Sequence, residues 1–165
     1  MIIILKAIGI CFSLTDIFRS DVLAIFMQSM SEAKVLPRLF MRTVIQAVTT
    51  YKTLVPFVSN NLFSKLITRK IWSNKEMWEG FVRCAKSIAP SSFGALLQLP
   101  QDALKDVIKK QPTLKNGLHE YILKKAPKST QALKLFEEIS SSTQNQTPPP
   151  NNTTTNSRES SVNAS

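Results

Sequence analysis

An all-α fold is what the sequence predicts: a HEAT-like α-solenoid of about eight short helices in antiparallel pairs, followed by a disordered C-terminal tail. Three observations predict it. Apolar residues recur at helical spacing through most of residues 1–139, and no stretch alternates strongly enough for a strand. The apolar-faced segments are joined by brief turns, most of them marked by proline. Helix pairs recur roughly every 40 residues without a tight sequence repeat, as in stacks where each pair buries its face against the next. A compact helical bundle is the alternative architecture.

The first segment, residues 1–14, is the most apolar of the chain. It is too short for a bilayer span, which needs about 20 apolar residues. A signal-peptide core is the rival reading, but nothing basic precedes Ile2–Leu5, Lys6 interrupts the run and no clear cleavage site follows Cys11. A buried helix is expected.

Residues 20–31 read as the second helix, with Ser20 as N-cap and Asp21 in the first turn, where the dipole favours an acid. Its apolar stripe is Val22, Leu23, Phe26, Met27 and Met30, and Ser31 to Lys34 read as a polar connection. The third helix is expected to begin near Leu36-Pro37, proline suiting the first turn. Leu36, Phe40, Val44, Ala47 and Val48 form its inner stripe; Arg38, Arg42, Gln46 and Thr49 lie on the opposite face. Tyr51 to Pro56 breaks this helix and Phe57 starts the fourth. There Val58, Leu62, Leu66 and Ile67 face inward, with Asn61, Ser64, Lys65 and Arg69 outward.

Ile71-Trp72 closes that helix, and Ser73-Asn74-Lys75-Glu76 reads as a capping box for the next. The fifth helix is expected to bury Trp78, Phe81, Val82, Ala85 and Ile88, with Lys75, Glu79, Arg83 and Lys86 outside and Pro90 as its stop. Gly80 within it costs about 1 kcal/mol relative to alanine, a cost that a close helix–helix approach would offset. Phe93–Leu99 forms a short helical turn. Pro100 opens a helix facing inward with Leu104, Val107 and Ile108, and Pro112 opens one carrying Leu114, Leu118, Tyr121 and Ile122. A last helix carries Leu133, Phe136 and Ile139. From Ser140 the chain turns to Ser, Thr, Asn, Gln and Pro, with Val162 and Ala164 its only apolar residues, a composition that cannot offset its ordering entropy. The domain is therefore placed at 1–139 and the tail at 140–165.

Composition bounds the function. At 165 residues with 43% hydrophobic and only four glycines, one domain with a real core is expected. The formal charge of +10 favours an acidic partner, whether nucleic acid, an anionic membrane or an acidic protein face, without choosing among them. Eight lysines between positions 105 and 134 form either a solvated face or a basic docking surface. Cys11 and Cys84 are too few for a disulfide framework or a zinc site. Cys84 has Arg83 and Lys86 nearby but no histidine base in sequence reach, so a buried helix cysteine is expected. His119 beside Glu120 lacks a second histidine, and the glycine-rich, metal-binding and redox motifs are all missing. No enzyme, cofactor, metal or small-molecule substrate is expected.

The phrases ICFS (10–13), VLAIFMQSM (22–30), LPRLFMRTVIQAV (36–48), FVSNNLFSKLITRKIW (57–72), MWEGFVRCAK (77–86) and LLQLP (96–100) resemble the C-terminal region of symplekin, collinearly over residues 5–125. The most specific are Leu36-Pro37, Met41-Arg42-Thr43 and Trp78-Glu79-Gly80-Phe81, with Trp72 closing the fourth helix. The resemblance implies a nuclear, non-catalytic scaffold of pre-mRNA 3′-end cleavage and polyadenylation. Its implied partners are the metallo-β-lactamase-type endonuclease subunit of the cleavage and polyadenylation complex and that subunit's inactive homologue, with zinc and catalysis belonging to the partner. Symplekins are much longer and carry an N-terminal HEAT domain that this sequence lacks. A fragment or truncated form is therefore expected, without the phosphatase binding associated with that domain. Within the resemblance, Arg38, Arg42, Lys65 and Arg69 are the candidate partner-binding residues, because arginine holds a carboxylate through two hydrogen bonds. The rival readings are a basic RNA-binding module, salt-sensitive and sequence-blind for want of an aromatic stacking platform, and a secreted glycoprotein, suggested by residues 1–14 and the sequons at Asn145, Asn151, Asn152 and Asn163.

Overall fold

A computed structural model of the chain describes residues 2–125, 134, 136–138 and 141. The expected tail, apart from Ser141, and the flanks of the expected last helix, including Leu133 and Ile139, lie outside the described residues. Every regular element among them is helical: α1 (Ile2–Ser13), α2 (Ser20–Glu32), α3 (Phe40–Thr50), α4 (Val55–Phe57), α5 (Phe63–Thr68), α6 (Lys75–Ser87), α7 (Phe93–Leu96), α8 (Gln101–Lys110) and α9 (Leu114–Lys125). The chain is all-α.

The core centres on α3 and α6, which pack against each other although five short helical segments separate them in the chain. Phe40, Met41, Val44, Ala47 and Val48 are buried from α3, and Met77, Trp78, Phe81, Val82, Cys84 and Ala85 from α6. Gly80 sits at the crossing. A Cβ built there would stand 2.5 Å from Met41 Cβ and 3.2 Å from its Cγ, so the approach of the two helices requires glycine. Trp78 stacks on Phe81 at 5.3 Å, and Phe81 meets Phe63 of α5 at 4.4 Å, forming an aromatic chain from α6 to α5. The Trp78 Nε1–H donates to Asp106 Oδ2 of α8 at 2.5 Å, so the ring's one polar atom is satisfied as it is buried.

Between α4 and α5 the helix passes through one π turn, Val58–Leu62, in which the Phe63 N–H bonds to the Val58 carbonyl five residues back. The sequence gives a reason. Leu54, Val58, Leu62 and Leu66 recur at four-residue intervals and are all buried. In a regular α-helix each four-residue step drifts about 40° around the axis. A wider turn removes part of that drift and keeps the four on one side.

The C-terminal part packs by the same logic. The Ser92 hydroxyl donates to the Ala85 carbonyl at 2.7 Å and ties the α6–α7 turn down. α8 buries Ala103, Leu104, Val107 and Ile108, with Asp102 in its first turn and Lys109 and Lys110 in its last, each suited to the helix dipole. α9 buries Leu114, Leu118 and Ile122, and the buried Phe136 stacks on His119 at 5.1 Å.

Several local expectations are corrected. α3 begins at Phe40; Leu36-Pro37 forms the turn before it, with the Phe40 N–H on the Pro37 carbonyl at 2.9 Å. Ser20 is the first residue of α2 and Arg19 holds the cap position, where its guanidinium pairs with Asp21 at 2.7 Å. Ser31 and Glu32 belong to α2, and Ser31 is buried. The capping residue of α6 is Asn74, whose side chain accepts the Met77 N–H at 3.1 Å, and the Ser73 capping box does not form because Ser73 ends a short 3-10 turn over Ile71–Ser73. The helical run expected from Phe57 begins earlier, with a 3-10 turn over Lys52–Leu54 and α4. In α2 the expected single stripe splits: Leu23 and Met27 are buried, whereas Val22 and Phe26 are exposed.

Candidate interaction surface

The four candidate residues lie in two pairs with different surroundings. Arg38 stands in the turn before α3 with its side chain 88% exposed, and its Nε lies 4.0 Å from Glu76 in the first turn of α6. Arg42 is exposed on α3, four residues further on, and no hydrogen bond or ion pair engages it among the described residues. Both guanidinium groups face solvent, Arg38 beside Glu76 and Arg42 without an ion-pair partner among the described residues.

Lys65 and Arg69 are engaged within the molecule. A helix leaves its last carbonyls without intrahelical partners, and α2 ends at Glu32 directly beneath α5. The Arg69 guanidinium donates from Nη1 to the Ser31 carbonyl and from Nη2 to the Lys34 carbonyl at 3.1 Å, bringing positive charge to the negative end of the α2 dipole. Lys65 Nζ donates to Glu32 Oε1. That hydrogen bond, with the ammonium's charge, holds the Glu32 carboxyl below its ordinary range. Ser31, Glu32, Ser64, Lys65, Thr68 and Arg69 line a cleft of about 440 Å³. Sequence reasoning missed this clamp, since nothing in the spacing of residues 31 and 69 announces a contact.

The residues of the sequence motif are structural. Trp78 and Phe81 are buried, Leu36 and Trp72 pack half-buried against the core, Pro37 shapes the turn into α3, and Gly80 sets the α3–α6 distance. Cys84 is buried, and loss of hydration pushes its thiol up to about 12, far from a nucleophile's range. Among the described residues no group of three His, Cys, Asp or Glu side chains gathers to hold a metal ion, and no helix is long and apolar enough to cross a membrane.

The remaining surface has two characters. The lysines of α8 and α9 face outward, three of them beside acids: Lys105 by Glu138 at 3.8 Å, Lys110 by Asp106 at 3.7 Å and Lys124 by Glu120 at 3.8 Å. Lys125 stands 5.8 Å above the Tyr121 ring. At the other end, α1, α2 and the turn between them expose Ile10, Leu14, Ile17, Val22, Ile25 and Phe26.

The described core is wholly helical and carries charged and apolar surfaces, which defines an all-α helical module. The family described as "Symplekin tight junction protein C terminal" matches residues 2–111, from α1 to the end of α8. The chain belongs to this symplekin C-terminal family. Proteins of the family are scaffolds of 3′-end processing. α9 lies beyond the match and packs on the same core through Leu118 and Ile122. No solved structure matches the chain.

Proposed function

We propose that the chain acts in the nucleus as a non-catalytic scaffold of pre-mRNA 3′-end cleavage and polyadenylation. In this reading it docks the metallo-β-lactamase-type endonuclease subunit and that subunit's inactive homologue. The observation that carries the reading is the family match over residues 2–111, which spans both central helices. The packing of α3 on α6, helices that are not consecutive, suits a HEAT-like stack in which pairs present one continuous outer surface. Arg38 and Arg42 supply the contact on that surface, since guanidinium groups not consumed by internal hydrogen bonds are available to carboxylates of a partner. Lys65 and Arg69 contribute from the α2–α5 cleft, where their first duty is to hold α2.

The test is capture of the nuclease pair from nuclear extract by the immobilised full chain, wild type against R38E/R42E. The double reversal is expected to weaken capture at least tenfold while the helical circular-dichroism signal stays unchanged. Arg69 is left intact because its loss would be read through α2. Unchanged capture removes the α3 face from the contact. Retention of RNA without the nuclease pair favours the basic RNA-binding reading. The word "tight junction" in the family's description sets a second test: fractionation must place the protein in the nucleus rather than at cell borders.

A further inference from the structure

A cleft of about 460 Å³ lies where three separated stretches of chain meet. Pro56 of α4 and Ser59 and Asn60 of the π turn form one wall, Pro90 and Ser91 of the turn after α6 a second, and Tyr121 and Lys125 of α9 the third. The volume falls within the range of about 300–1,000 Å³ typical of ligand sites, and π turns are frequent at functional sites. Each wall is held from behind. The Ser59 hydroxyl donates to the Pro56 carbonyl at 3.2 Å and lies 3.4 Å from Asn60 Oδ1, which leaves the Asn60 amide hydrogens unused. The Ser92 hydroxyl, bonded to the Ala85 carbonyl, fixes the turn that carries Ser91. The Tyr121 ring meets Phe93 edge to face at 5.7 Å, and Gly94 leaves room for the phenol, since a Cβ there would stand 3.1 Å from its oxygen. The family match ends at residue 111, so α9 completes the cleft from beyond it.

The lining groups are donors without acceptors. Asn60 Nδ2, Ser91 Oγ, Tyr121 Oη and Lys125 Nζ make no hydrogen bond or ion pair among the described residues, and each can donate. Lys125 is the one charged residue of the lining, and no carboxylate is part of it. In the α2–α5 cleft, by contrast, Glu32 and two backbone carbonyls already occupy Lys65 and Arg69. A smaller cleft between α6 and α8 sets Glu79 beside Arg83 and Lys110. Unused donors around one cation suit an oxyanion, whose hydrogen bonds are the stronger for its charge. A phosphate monoester brings three acceptor oxygens and nearly two negative charges, more than a carboxylate offers. Pro56, Pro90 and the Tyr121 ring add apolar surface for whatever carries the anion. A nucleotide base would need an aromatic face to stack on, and the Lys125 ammonium stands 5.8 Å over the one aromatic ring of the lining.

We propose that this cleft binds a phosphorylated side chain on a peptide segment of a partner protein. The phosphate sits at Lys125, with the hydroxyls of Tyr121 and Ser91 and the Asn60 amide as its further donors, and the flanking peptide rests on Pro56 and Pro90. The site uses none of the arginines assigned to capture of the nuclease pair and does not depend on that assignment.

The experiment is an amide NMR titration of the isotope-labelled full chain with a capped pentapeptide, a central phosphoserine flanked by alanines. Saturable shifts are expected at Asn60, Ser91 and Tyr121 and their neighbours. The same peptide with serine is expected not to saturate, and with glutamate to bind at least about tenfold more weakly. Lys125→Gln is expected to weaken the phosphopeptide at least about tenfold with the circular-dichroism spectrum unchanged. Lys124→Gln removes the adjacent lysine, which pairs with Glu120, and is expected to leave binding as it was. Absence of shifts through millimolar peptide overturns the proposal. Shifts spread over the lysines of α8 and α9, or equal loss in Lys124→Gln, also overturn it and reduce the effect to diffuse basic charge. Equal binding of the glutamate peptide overturns the preference for phosphate. Tighter binding of a pentauridylate through the same residues overturns the peptide and assigns the cleft to RNA.

Discussion

Gly80→Ala tests the closest contact in the core. The added methyl would lie 2.5 Å from Met41 Cβ, against an ordinary contact of at least 3.4 Å, and both atoms are held by helix backbone, so no rotamer change separates them. α3 and α6 must part by about 1 Å or distort. Overpacking of this kind costs about 1–3 kcal/mol, while replacing glycine within a helix returns about 1 kcal/mol. Because the clash involves two backbone-fixed carbons, the upper part of the range applies, leaving a net destabilisation of about 1–2 kcal/mol, measurable as a lower urea midpoint. The partner position sharpens the test. Met41→Ala keeps a Cβ and does not rescue Gly80→Ala. Met41→Gly removes it, and the double-mutant cycle is expected to show a favourable coupling of about 1 kcal/mol or more. If Gly80→Ala proves as stable as the wild type, helix propensity has won and the close approach is refuted.

Three further outcomes are expected. Asp106→Ala strands the indole N–H of the buried Trp78 and should cost about 1–3 kcal/mol, against about 3–5 kcal/mol for Trp78→Ala; if Asp106→Ala is silent in urea unfolding, the hydrogen bond contributes nothing. The Cys84 thiol is raised by burial from 9.0 to about 12. Folding therefore favours its protonated form, and the stability this gives is complete below about pH 9 and declines as pH rises toward 12, with the native protein consuming one equivalent of maleimide, at Cys11, and the urea-unfolded protein two. Arg69→Lys cannot donate to two carbonyls in the same fork, so amide exchange at the C-terminal end of α2 should quicken while α6 is unaffected; unchanged exchange would mean that α2 needs no clamp.

Much of this architecture is legible in the residues because it rests on local periodicity. The buried faces of α6, α8 and α9 follow from apolar spacing alone, whereas the close approach at Gly80, which the sequence only allows for, is fixed by the packing of Met41 against it. What was not legible is tertiary. α2 carries apolar residues on more than one face, and only its neighbours decide that Leu23 and Met27 go inward while Val22 and Phe26 stay out. The shift of the α6 cap from Ser73 to Asn74 follows from the 3-10 turn before it, since both residues have suitable side chains. Of the four candidate contact residues, Lys65 and Arg69 turned out to bridge over thirty positions of sequence, a distance at which charge patterning carries no signal.

The π turn at Val58–Leu62 bears on how this helix is compared with its relatives. Such a turn is the form an inserted residue takes when both flanks of a helix are already pinned by packing. Pro56 holds the entrance, and Phe63 with Arg69 holds the exit. A relative with one residue fewer around Ser59–Asn61 would show a gap in alignment and a plain α-helix in space, with the residues equivalent to Phe63 and Arg69 still in place. A length change at this point would leave the contacts on either side undisturbed.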